Sequence, residues 1–199
     1  MNIAVYCGSS PQATPCYIEA ASQLGRWIGA NGHRLVYGGS SIGLMGAVSR
    51  AALDAGGEAI GVEPGFFIEA GVAQHDLTEL IVVDTMGERK AKMIELADVF
   101  VALPGGVGTL EEISEVMSLM RLGMEPGPCY LLNLNGFYDG LRQLLGSMRD
   151  AAFLDDADCE KVWFPATVGE LAQCLDAHKL PEGGKPRRPV VPESNCSLG

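Results

Sequence analysis

The 199-residue chain is 47% hydrophobic and 20% charged, the balance of a single soluble globular domain with a substantial core rather than a disordered or membrane-spanning protein. Its formal net charge of −11 argues against a nucleic-acid surface, so any phosphorylated ligand needs a locally positive pocket. Cys7, Cys16, Cys129, Cys159, Cys174 and Cys196 lie far apart, with no C-x-x-C pair and no histidine at zinc-ligand spacing, so neither a disulfide framework nor a structural metal is expected.

The chain opens on MNIAVYCG, which lacks the basic start and long apolar stretch of a signal peptide. A cytoplasmic protein with free thiols is the expectation. Strand-length apolar runs then recur as NIAVY (2–6), RLVY (34–37), EAIGV (58–62), LIVVD (80–84), DVFVAL (98–103), CYLLN (129–133) and KVWF (161–164). Helical spacing separates most of them, as in Ile18, Ala21, Leu24 and Ile28, which stop at Asn31-Gly32. Alternating strands and helices predict an α/β, Rossmann-like three-layer fold with a parallel sheet of about seven strands, covered on both faces. Residues 61–80 have no clean period and are expected to form a loop or short helix over the site. The single nucleotide-binding domain is expected over 1–180, with PEGGKPRRPVVPESNCSLG at 181–199 as a tail.

Ligands of open parallel sheets bind outside the carboxyl ends of the strands. The loops there are CGSS (7–10), GGSSIGLMG (38–46) and PGGVGT (104–109), whose glycines allow backbone approach and whose following helices offer unpaired N–H groups to phosphate. Gly8, Ser9, Gly39 and Gly43 are candidate substrate contacts on the first two. No loop ends in G-K-[ST] or gives the full G-x-G-x-x-G fingerprint, and tight-turn packing is the competing reading for each.

Carboxylates follow the third loop. Thr109-x-x-Glu112 matches a capping box, which would make Glu112 a helix-end residue, and Glu111 and Glu115 would then be a solvated face. Alternatively Glu112 faces the ligand, repelling phosphate but stabilising a cation. A second box, Thr85 to Glu88, opens a helix whose first turn carries Arg89 and Lys90 against the dipole, at about 0.3–1 kcal/mol each. Arg89 is expected either to pair with Glu88, Glu112 or another carboxylate, or to face a ligand phosphate. Phosphate at one end and developing positive charge nearby suggest a ribose 5-phosphate losing its base through an oxocarbenium-like state.

PGGVGTLEE (104–112) with MGERK (86–90) resembles the paired motifs P-G-G-x-G-T-x-x-E and M-x-x-R-K of the Lonely Guy family, the cytokinin-activating phosphoribohydrolases long mislabelled as lysine decarboxylases. YGGSSIGLMG (37–46) is similar to the family's Y-G-G-G-x-x-G-L-M-G, and the likeness covers nearly the whole chain. It implies hydrolysis of a nucleoside 5′-monophosphate, N6-prenylated AMP or AMP itself, to free base and ribose 5-phosphate. It also implies a Rossmann-like fold, no metal or organic cofactor, and a homodimer with sites near the subunit interface. Arg89 and Glu112 become the catalytic pair. Met86, Lys90, Gly105, Gly106, Val107, Gly108, Thr109, Leu110, Glu111 and Ser118 become candidate substrate-binding residues.

The chain departs from the family twice. Ser40 replaces the third glycine of G-G-G. Relatives often show a pattern similar to R-E-V-A-H-x-x-L-T-E-L, where this chain has AGVAQHDLTEL (70–80), which puts Gly71 at a substrate-touching glutamate, with Glu69 as the nearest substitute. A nucleotide-binding module without catalysis is therefore the alternative. A decarboxylase would need a lysine Schiff base to pyridoxal phosphate, for which Lys90 is a poor candidate. His33, His75 and His178 read as loop or surface residues, and Met117, Leu119, Met120, Trp27 and Trp163 as packing.

Overall fold

The computed structural model describes residues 1–124 and 126–177. Seven strands, β1 (Asn2–Tyr6), β2 (Arg34–Tyr37), β3 (Glu58–Pro64), β4 (Glu79–Val83), β5 (Val99–Ala102), β6 (Cys129–Leu131) and β7 (Val162–Trp163), form one parallel sheet in the order β4-β3-β2-β1-β5-β6-β7. All seven apolar runs are strands; the central ones are covered on both faces and so carry hydrophobic residues at consecutive positions, while the edge strands β4 and β7 stay partly exposed.

On one face lie α1 (Pro15–Ala30), α2 (Gly43–Asp54) and α8 (Val168–Ala177), whose Leu24, Ile28, Val48, Leu171 and Leu175 pack on Ile3, Val5, Leu35 and Tyr37. The other face is covered by α4 (Met86–Leu96) and α5 (Val107–Arg121), with Met93, Ile94, Ile113 and Val116 against Ala4, Val36, Val62 and Phe100. The adjacent α6 is Asp139–Asp150 and the short α7 is Asp156–Cys159. The helical spacing from Ile18 ends as expected, with Asn31 capping α1 and Gly32 at φ 67°.

The chain reverses its direction of sheet growth between β1 and β5, so the loops after these central strands diverge and open a crevice. The segment after β3 does form a short helix, α3 (Gly65–Glu69). Its return is stitched to the second glycine loop by Ser41 N–H to Val72 O at 2.8 Å and Gln74 N–H to Gly39 O at 2.9 Å. The resulting wall stands over the crevice.

One local expectation is overturned: Thr109 caps nothing. Gly106 is the N-cap of α5, which starts at Val107, so Thr109 lies inside the first turn. Thr109 packs instead against Gly105, where an added Cβ would stand 2.2 Å from the threonine Oγ1. Glu112 is thereby released from any capping role. The box at α4 forms in modified shape: Thr85 Oγ1 accepts from Glu88 N–H at 3.1 Å, while the Glu88 carboxylate reaches Asp84 N–H at 2.9 Å instead of Thr85.

Trp27 packs partly buried against the core, Met120 is buried, and Met117 and Leu119 pack beside it, while Trp163 is half exposed and stacks on Tyr130. Among the histidines, His33 is partly buried, His75 is exposed, and His178 lies outside the described residues, as do Cys196 and the expected tail. Among the described residues no helix is long and apolar enough to cross a membrane.

Candidate active site

A cavity of about 530 Å³ occupies the crevice at the carboxyl edge of the sheet. Its floor is Cys7, Gly8 and Ser9 after β1, and Gly38, Ser40, Ile42 and Met45 after β2. Glu63 lines it from the end of β3, Phe67, Ala70 and Val72 from the wall, and Met86 and Arg89 from α4. The start of α5 completes it with Gly106, Val107, Gly108, Thr109, Glu111 and Glu112.

The first internal bond of α5 runs from Leu110 N–H to Gly106 O, so the N–H groups of Val107, Gly108 and Thr109 have no partner within the helix. They and the positive end of the helix dipole suit an anion. One helical turn further, the Glu112 carboxylate accepts from Arg89 Nη1 at 2.9 Å, with Glu112 4% and Arg89 5% exposed. Arg89 Nε donates to Val62 O at 3.1 Å, which fixes the plane of the guanidinium. Burial pushes the Glu112 carboxyl above its ordinary range, with the Arg89 charge opposing that rise.

The second glycine loop serves these side chains. A Cβ on Gly38 would lie 1.7 Å from Arg89 Nη2, so only glycine leaves room for the guanidinium. Gly39, at φ 83°, leaves room for Glu63, whose own Cβ would be 2.9 Å from an added Cβ. Ser40 in place of a third glycine costs little, since its φ is not positive and its backbone bridges Ala73 in the wall.

Of the candidates, Arg89, Glu112, Met86, Gly8, Ser9, Gly106, Val107, Gly108, Thr109 and Glu111 line the cavity. Gly105, Gly39 and Gly43 stand behind it: Gly105 backs onto Thr109 and Gly8, and Gly43 lies against the Ser9 and Ser10 backbone. Lys90 is outside the lining and is bound to Glu111 and, at 2.7 Å, to Glu115, which hold its ammonium protonated. Leu110 and Ser118 face away, into a separate apolar groove of about 350 Å³ shared with Leu141, Leu144 and Met148 of α6. Gly71 ends α3 at φ 72° with open space around it, and Glu69 is exposed and outside the cavity lining.

Glu63 and the wall residues escaped sequence reasoning. A carboxylate at the carboxyl end of an otherwise apolar parallel strand was the available signal. Cys7 also lines the cavity, yet burial, reinforced by Glu112, pushes its thiol up, so it remains protonated and is not a nucleophile.

Fold and site together define an α/β protein with a phosphate-type crevice beside a buried arginine–glutamate pair. The family model described as "Possible lysine decarboxylase" matches residues 45–175. The cytokinin riboside 5′-monophosphate phosphoribohydrolase of Rhodococcoides fascians is 44% identical over 176 residues, covering 88% of this chain and 84% of its own length. The phosphoribohydrolase LOG of Oryza sativa subsp. japonica is 41% identical over 182 residues, covering 91% and 74%. Among solved structures, the molybdenum cofactor binding protein from Rippkaea orientalis superposes with a TM-score of 0.68 at 26% identity, covering 88% of this chain and 95% of that one. The chain belongs to the cytokinin riboside 5′-monophosphate phosphoribohydrolase family.

Proposed function

We propose that this protein hydrolyses the N-glycosidic bond of adenosine 5′-monophosphates, N6-substituted or plain, to free base and ribose 5-phosphate. The observation that carries the reading is the buried Arg89–Glu112 pair one helical turn from the open N-terminus of α5. The 5′-phosphate sits on the N–H groups of Val107 to Thr109, which brings C1′ of the ribose toward Glu112. As the C1′–N9 bond breaks, the Glu112 carboxylate stabilises the oxocarbenium-like carbon and takes the proton of the attacking water. Arg89 holds that carboxylate in place and favours its ionised form against the effect of burial. The reaction as drawn is hydrolysis by water and calls on no cofactor.

Purified protein should release free base from AMP or N6-isopentenyl-AMP, followed by chromatography. Glu112→Ala should lower turnover by about 10² to 10⁴ while leaving the fold intact. Retained turnover in the variant would refute the assignment.

A second reading, a nucleotide-binding module without hydrolysis, draws on Gly71 at the family's glutamate position, and AMP binding without base release would favour it. A glutamate at Gly71 tests this poorly, because φ 72° strains any side chain there. Schiff-base decarboxylation finds no support: no lysine lines the described cavity, and Lys90 is held protonated by Glu111 first and Glu115 next.

The reading extends to a cytoplasmic homodimer without nucleic-acid partners. Its support is the net charge of −11, the free described cysteines, and the apolar groove between α5 and α6 that carries Leu110 and Ser118. A second copy seated there would bring those two residues beside a neighbouring site.

A further inference from the structure

Cleavage of a purine nucleotide makes two demands for protons. Water must lose one, and the departing base must gain one at a ring nitrogen, because a purine anion is a poor leaving group. Glu112 meets the first demand. The second falls to another acid, and the cavity holds a buried carboxyl without an assigned role.

Glu63 lines the cavity from the carboxyl end of β3 and is 1% exposed. Its Oε2 has no hydrogen-bond partner among the described residues. Arg89 is engaged elsewhere, with Nη1 on Glu112 and Nε on the Val62 carbonyl. A buried carboxylate oxygen left without a hydrogen bond is costly, and that cost favours the protonated group. Burial raises the Glu63 carboxyl above its usual range, with Arg89 opposing. Its burial and its unpartnered Oε2 therefore favour the protonated carboxyl at Glu63, the form that can give a proton to a ligand.

Its position matches the base. Along the sheet edge the anion site lies after β5, Arg89 passes over Gly38 at the end of β2 to the Val62 carbonyl of β3 while holding Glu112, and Glu63 follows Val62 on β3. The apolar side chains Phe67, Ala70 and Val72 follow Glu63 in the chain and wall the same end. A nucleotide with its phosphate on α5 and its ribose at Glu112 puts the flat aromatic face of its base there.

We propose that Glu63 is the general acid that protonates the departing base, a role that rests on the hydrolase reading above. Water adds its oxygen to C1′ and passes a proton to Glu112. The C1′–N9 electron pair moves into the purine, and the Glu63 proton goes to a purine ring nitrogen. The base leaves neutral, Glu63 is left as carboxylate, and exchange with solvent resets both acids after release.

The test compares leaving groups. Glu63→Gln keeps the shape and a hydrogen-bond donor but cannot transfer a proton, so turnover of AMP should fall by about 10² to 10⁴ with KM little changed. Turnover of 4-nitrophenyl β-D-ribofuranoside 5-phosphate, whose phenolate leaves without protonation, should stay within about threefold of the parent, since general-acid assistance is not needed there. AMP turnover near the parent value, or an equal loss on both substrates, would overturn the proposal. If the parent refuses the nitrophenyl compound, Glu63→Asp carries the test: AMP turnover well above that of Glu63→Gln supports the acid, and no difference overturns it. A parent that releases no base from any nucleotide sinks the hydrolase reading itself, and the proposal with it.

Discussion

Two ion-pair clusters join α4 to α5, and their residues are chain neighbours. Arg89 meets Glu112 inside the cavity, while Lys90 meets Glu111 and Glu115 at its rim. The chemistry is nearly the same, but the surroundings are not: Arg89 and Glu112 are almost fully buried, whereas the Glu111 side chain is 56% exposed. Water screens the outer cluster, which ties two helices together cheaply. The inner pair has lost its water, so its charges act on each other and on whatever enters the cavity. Desolvation, rather than the presence of an ion pair, separates the pair that faces the cavity from a clasp.

The largest expected effect comes from removing one inner partner. Arg89→Ala leaves Glu112 buried and unpaired, and urea unfolding should show a loss of about 3–5 kcal/mol along with lost turnover. The double variant Arg89→Ala/Glu112→Ala should recover much of that stability, since no charge is then stranded. A double variant as unstable as the single one would mean that packing, not charge, dominates the pair.

A smaller effect sharpens the comparison through pH. Folding raises the Glu63 carboxyl, so the native state binds more protons than the unfolded chain above the ordinary carboxylate range of about 4.3. The stability linked to that proton is full below this range and is lost as pH rises through the folded value. The stability of Glu63→Gln relative to the parent should therefore grow with pH. Urea midpoints for both proteins across mildly acidic to neutral pH would check it, and a constant difference would break the link to Glu63.

The smallest effect is expected at the rim. Lys90→Gln should cost no more than about 1 kcal/mol, since its partner Glu111 remains hydrated, and base release should stay within about tenfold of the parent. A loss as large as that of Glu112→Ala would show that Lys90 works on the substrate and that the inner–outer contrast is wrong.

The sequence by itself determined the layers of this protein. The central strands, buried on both faces, have to be continuous apolar runs, and the edge strands β4 and β7 carry such runs too, so all seven were legible along the chain. The glycine loops and the Arg89 and Glu112 motifs were legible too, because backbone approach and helix-end charge leave local marks. Tertiary structure alone decided what those residues do. Thr109-x-x-Glu112 spells a capping box, yet the N-cap of α5 is Gly106, three residues earlier, and Gly105 packs against Thr109 and Gly8 from outside the helix. Gly38 and Gly39 read as a phosphate loop, but they make space for Arg89 and Glu63, which arrive from elements far along the chain. Glu63 went unmarked in an apolar strand. Only the assembled sheet edge shows that it is a buried acid facing the same cavity as Glu112, for burial and the absence of a partner arise between segments and not within them.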